Sequence, residues 1–185
     1  MAWRFHNERK VKMKKKFEGV IVKKSEFDDT FKLAPYLRKD DLRELKVFNL
    51  SGIQGLLRGY IWSDECFTAR YKGKIICMFG VTGHFVPKGF GSIWFLGSEE
   101  MKHHTLTFLK YGRRFIKRFL KRYDILINAV DKRNTTHINW IKKAGLTIGE
   151  PVFINGYEFL QFYASKQNDR ASERSYIKER RSENV

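Results

Sequence analysis

The sequence predicts an α/β (α+β) chain built on a mixed, mostly antiparallel sheet flanked by helices. Three observations carry that prediction. Two tight hairpin signals, Lys72-Gly73 and Asn155-Gly156, each separate strand-like runs, which gives antiparallel pairs. A long amphipathic stretch, residues 103–123, lies between two further strand-like runs. The run from Lys74 to Thr82 is apolar at nearly every position, as in a strand covered on both faces. A sheet with helices on both sides satisfies that pattern.

Taken in order, residues 1–17 read as a basic flexible arm, and Glu18 to Lys24 as the first strand. Asp28 or Asp29 can cap a helix running through Arg38, with Pro35 in or near its first turn, where a missing N–H costs little. Asp40 can cap a further helical piece carrying Leu42, Leu45, Val47 and Phe48. Ser51 and Gln54 form a capping-box pattern that opens a helix with Leu56, Leu57, Tyr60 and Ile61 on one side. Glu65 to Arg70 and Lys74 to Thr82 flank the first hairpin turn. That turn sets Cys77 opposite Thr68 rather than Cys66, so two free, inert thiols are expected. Residues 86–91 read as a loop and Ser92 to Leu96 as a strand.

The helix over 103–123 carries Leu106, Leu109, Gly112, Phe115, Ile116, Phe119, Leu120 and Tyr123 as one apolar stripe. Gly112 costs about 1 kcal/mol in a helix against Ala, and its place on the stripe predicts close approach to another backbone. Ile125 to Val130 is a strand. Asn134 caps a helix over Thr135–Ala144, and Gly145 stops it. Val152–Ile154 and Tyr157–Ala164 form the last hairpin. The order over residues 18–164 is β-α-α-β-β-β-α-β-α-β-β, and residues 165–185 read as a polar, disordered tail.

Composition narrows the function. A hydrophobic fraction of 42%, with 16 Phe and 8 Tyr, is ample for a folded core. No apolar run reaches the roughly 18 residues of a membrane helix, and no secretory h-region is expected at the N-terminus. Two Cys make no disulfide scaffold, and no Cys/His spacing resembles a metal site. The net charge is +17. Much of it sits on the N-terminal arm and on the helix face Arg113, Arg114, Lys117, Arg118, Lys121 and Arg122. Such a face suits polyanions, DNA phosphates included, without base readout.

The stretch ILINAVDKRNTTHINWIKKAGL, Ile125 to Leu146, is a strand, a turn, a capped helix and a Gly stop. With the element order, it resembles the GCN5-related N-acetyltransferase (GNAT) fold across about residues 18–164. In that family an Asn opens the helix, a Tyr follows seven residues later, and a Gly ends it. Asn134, Ile138, Gly145 and Leu146 fall in register, while His137 stands at the usual Ala and Ile141 at the usual Tyr. GKIICMFGV, WFLGS, FLKYGRRFIKRFLKRY and NAVDKRNTTHINWIKKAGL together resemble a GNAT-like family of short-tailed bacteriophages, over roughly residues 29–163. That family includes a small virion-morphogenesis protein of the internal head core.

The resemblance implies an acetyl-CoA site at Leu96, Gly97 and Ser98, with Asn134 nearby. Two departures count against its chemistry. Glu99-Glu100 stand where the pyrophosphate would lie, and Ile141 has no proton to give. The candidate bases are His84, His137 and Glu65, with Asp64 beside it; each is equally readable as a solvated or structural side chain. The expectation is therefore a phage virion-assembly or internal virion protein with a non-catalytic acetyltransferase-like fold. Its partners would be phage structural proteins, in the host cytoplasm during assembly and then in the virion interior. The alternatives are an active acetyl-CoA-dependent N-acetyltransferase with an atypical cofactor loop, and a basic nucleic-acid-binding accessory protein.

Overall fold

The computed structural model describes residues 19–167. The expected basic arm at 1–17 lies outside them, as does the expected tail beyond Gln167. Strand β1 is Val20–Lys24. Helices α1 (Phe27–Leu33), α2 (Lys39–Val47) and α3 (Gly52–Trp62) follow, with a 3-10 turn at Ala34–Tyr36 that takes up Pro35. Three helices thus fill the stretch that the sequence order counts as two. Then come β2 (Glu65–Tyr71), β3 (Lys74–Thr82), β4 (Phe90–Gly97), a 3-10 turn (Glu99–His104) and α4 (Thr105–Phe119). The order closes with β5 (Ile125–Asp131), α5 (Thr135–Ala144), β6 (Thr147–Ile154) and β7 (Tyr157–Ser165). No helix of the described residues is long and apolar enough to cross a membrane.

The seven strands lie in the order β1-β2-β3-β4-β5-β7-β6. Every pair is antiparallel except β4 with β5. Both expected hairpins form, and each turn needs two positive φ angles. Lys72 and Gly73 stand at 47° and 79°, and Asn155 and Gly156 at 49° and 83°. Those angles match the twist of the flanking strands. One register differs from expectation. Ile76 is an extra residue at a bulge, so Cys77 lies opposite Ala69, not Thr68. Both thiols are free. Burial pushes Cys66 up to about 11 and Cys77 up to about 12, which keeps them protonated and inert.

Alternation along the strands divides the core. Leu33, Leu37 and Leu56 pack with Met78 and Leu96 on one face. Phe119, Leu120, Ile138 and Ile141 pack with Phe67, Val81 and Leu126 on the other. The Ser51 box opens α3 as expected, with Gln54 N–H on Ser51 Oγ and Ser51 N–H on Gln54 Oε1. Two expected caps sit elsewhere. Glu26 precedes α1, and Asp29 lies in its first turn, accepting from the Glu26 N–H, from Thr68 Oγ1 at 2.7 Å and from Arg70 at 2.5 Å. Arg38, not Asp40, precedes α2.

α2 spans the middle of the molecule. At its start the Arg38 N–H donates to the Gly97 carbonyl at 2.9 Å, and Asp41 Oδ2 accepts the Gly97 N–H at 2.9 Å. Arg38 and Asp41 form a fully buried two-point ion pair. At its end Asn155 Nδ2 donates to the Val47 carbonyl at 2.8 Å, and Phe48 meets Phe159 edge-on.

A candidate cleft between two splayed strands

β4 and β5 are paired only at Phe90, Gly91 and Ser92, opposite Ile125, Leu126 and Ile127. Beyond that point the strands part into a V. Asn128 sits at its apex and donates to the Ile93 carbonyl. Strand geometry then settles which peptides face the gap. Gly97 bonds α2 rather than β3, so Gly97, Phe95 and Ile93 turn their N–H and C=O groups away from β3. Asn128 takes the Ile93 carbonyl and α2 takes Gly97. Phe95 is the peptide left to face the V.

The V is continuous with a cavity of about 510 Å³. On one face of the sheet its wall is Glu44, Leu45 and Phe48 of α2 with Arg58 and Trp62 of α3. On the other it is Phe108, Tyr111, Gly112 and Phe115 of α4 with His137, Trp140 and Ile141 of α5. Ile93, Trp94, Phe95 and Leu96 line it from β4, and Asn128 and Ala129 from β5. The space therefore passes through the sheet and is walled on both sides. Gly112 corrects an expectation here. It approaches no other backbone, and a Cβ built on it meets no atom within 4 Å.

One carboxylate of this wall escaped the sequence reading. Glu44 Oε1 accepts from Asn134 Nδ2 at 2.8 Å, while Asn134 Oδ1 caps α5 through the His137 N–H. Burial pushes Glu44 up to about 7, and the nearby Asp41 and Asp131 add to the rise against the Asn134 bond and Arg38. Nothing local marks Glu44 in the sequence. Its partner lies 90 positions away.

The candidate bases part company. His137 does reach the cavity wall, but burial, helped by Arg38, pulls it down to about 3. Its Nδ1 is buried without a hydrogen-bond partner. A neutral imidazole of that kind is a poor base at pH 7. His84 is exposed and borders a separate recess with Asp64, Lys88, Arg122 and Tyr123. Asp64 accepts from Tyr123 Oη and from the Gly83 N–H, and pairs with Arg122. Partial burial would raise its carboxyl, yet those bonds and that charge hold it below the usual range. Glu65 is bound to Arg118 at 2.6 Å. His84, Asp64 and Glu65 do not line the V.

The expected cofactor turn is occupied from within. Gly97 is bonded on both its N–H and C=O, as above. The Ser98 N–H and hydroxyl both go to the Ile76 carbonyl, so the side chain of Ser98 does not cap the turn. Glu99 pairs with Lys102, and Glu100 lies 3.5 Å from His104. The turn runs directly into α4, and its Gly97, Ser98 and Met101 amides are already taken by Asp41, Ile76 and Ser98. Ile141 is buried and lines the cavity. On the basic face, Arg113 donates to the Lys143 carbonyl, Arg118 and Arg122 pair with Glu65 and Asp64, and Arg114, Lys117 and Lys121 are exposed.

Solved structures of similar shape include several acetyltransferases. AAC(6')-Ib in complex with ribostamycin and coenzyme A is 13% identical, with 83% of this chain and 97% of that one aligned at a TM-score of 0.63. A ribosomal-protein-alanine N-acetyltransferase from Brucella melitensis is 12% identical, covering 78% and 99% at 0.56. A GNAT-family acetyltransferase from Bacillus anthracis is 13% identical, covering 81% and 96% at 0.55. The chain thus has a GNAT-like fold, as the sequence predicts. No family model matches the sequence, and no curated protein matches it.

Proposed function

We propose that this chain binds an acyl thioester in the V and transfers the acyl group to an amine. The observation that supports this is the V itself, open between β4 and β5 and continuous with a cavity on both faces of the sheet. A donor and an acceptor could approach one another there from opposite sides. Part of coenzyme A fits and part does not. The Phe95 peptide offers an N–H and a C=O to an amide-bearing arm, and the apolar walls suit an acyl group. The turn after β4 is a poor cradle for a pyrophosphate, because its Gly97 and Ser98 amides are used within the chain and two carboxylates stand in it. When bound, a thioester supplies an activated carbonyl carbon. The chain supplies the rest. Glu44, pushed up to about 7, takes the proton of the attacking amine as the N–C bond forms, and passes it to the thiolate that leaves as the C–S bond breaks. Asn134 holds its carboxyl in place. The walls of α4 and α5 keep water away.

A second reading follows from that same turn. Its internal bonds favour a GNAT-like chain that does no chemistry and serves as a virion-assembly or internal virion protein of a short-tailed phage, bound to other head proteins. Calorimetric titration separates the two. Micromolar binding of acetyl-CoA or of an acyl-pantetheine, with acyl transfer to an amine, supports the first. No heat from either, with the chain folded and recovered from phage procapsids by mass spectrometry, supports the second.

A further inference from the structure

We propose that the apolar space beneath α4 holds a medium-chain acyl group rather than an acetyl group; this rests on the acyl-transfer reading above. The inward row of α4 runs Phe108, Gly112, Phe115 and Phe119, with a bulky aromatic ring at every position but one. At that position the row is interrupted. A Cβ on Gly112 would meet nothing within 4 Å, although Gly112 lines the cavity. Space for a side chain is thus left at Gly112, on the wall of the cavity that the V joins.

The surroundings select an apolar occupant. Water needs two to four polar partners to be held in a protein interior. On this wall the rings of Phe95, Phe108 and Trp140 pack on one another and Phe115 packs on Phe67 and Phe79, beside an uncharged His137 whose Nδ1 alone lacks a partner in that group. Space of this kind costs its lining the contacts that an occupant would restore. A methyl group would touch only the mouth of it. A straight hydrocarbon chain could thread the gap at Gly112, and each buried methylene is worth about fourfold in affinity. The helix also loses propensity by having Gly there, a loss that an aliphatic side chain would reverse.

The test compares acetyl-pantetheine with octanoyl-pantetheine, on the whole chain and on Gly112→Leu. Octanoyl-pantetheine should bind the unmodified chain at least about a hundredfold tighter, short of the full methylene gain because the chain must be ordered. In Gly112→Leu that advantage should fall by at least about tenfold. The melting temperature of the variant, higher than that of the parent, shows that it is folded. Gly112→Ala, which fills less of the gap, should lie between the two. Equal affinities for the two thioesters, or a folded Gly112→Leu that keeps its full grip on the octanoyl compound, would overturn the proposal and leave acyl transfer standing. If neither thioester binds, both fall together.

Discussion

Two side chains at the V titrate in opposite senses, and each makes a prediction. Glu44 rises from 4.5 to about 7. The folded chain therefore holds a proton that the unfolded chain has released, and stability falls as pH climbs through that window. Glu44→Gln keeps the Asn134 contact without the charge. It should stabilise the chain at pH 8 by at most about 3 kcal/mol, and by almost nothing below pH 4.5, in denaturant melts. Under the acyl-transfer reading it should also cut the rate about a hundredfold or more and abolish the rise of kcat/KM near pH 7. His137 falls from 6.5 to about 3. Its stabilisation is complete above 6.5 and is lost as pH drops towards 3. His137→Gln should flatten that acid limb while leaving stability at pH 8 within about 1 kcal/mol of the parent. A sequence shows which residues can titrate. It does not show that α5 seats His137 among Phe95, Trp140 and Arg38, or that Glu44 meets the cap of a helix 90 positions on.

At the scale of elements, local chemistry was largely legible. The Ser51 box, the Asn134 cap, the Gly145 stop at φ 92° and both hairpin turns follow from neighbours within four residues. What escaped was decided from afar. Asp29 reads as a cap, but Thr68 and Arg70 draw it into the first turn of α1. Gly112 reads as a contact glycine, but a Cβ there would meet nothing within 4 Å. α2 carries the firmest test. Asp41→Ala would strip Arg38 of its partner in the interior and free the Gly97 N–H. It should cost about 3–5 kcal/mol in chemical denaturation, far more than Asp40→Ala, whose partner Arg43 is well exposed.

Across the whole molecule, the element order was enough to place the fold, because alternation of strand and helix leaves few ways to cover a mixed sheet. The depth of the V was not readable. It depends on where parallel pairing stops, at Ser92 and Ile127, and no local pattern marks that residue. Ligand linkage gives a test at this scale. A thioester that binds the folded chain alone should raise its stability by about 2.7 kcal/mol at a hundred times its dissociation constant, seen as a rise in Tm.

The two ends of α2 are fastened to opposite arms of the sheet: Gly97 on β4 at one end, and the turn between β6 and β7 at the other. A rod pinned at both ends sets a spacing. The mouth is thus calibrated before any molecule arrives, and a guest is sorted by its thickness rather than by what it can pry apart. Asn155→Gly removes one pin, keeps the positive φ of the turn and leaves the lining untouched, so it should quicken ligand release severalfold and blunt the discrimination between slim and bulky guests.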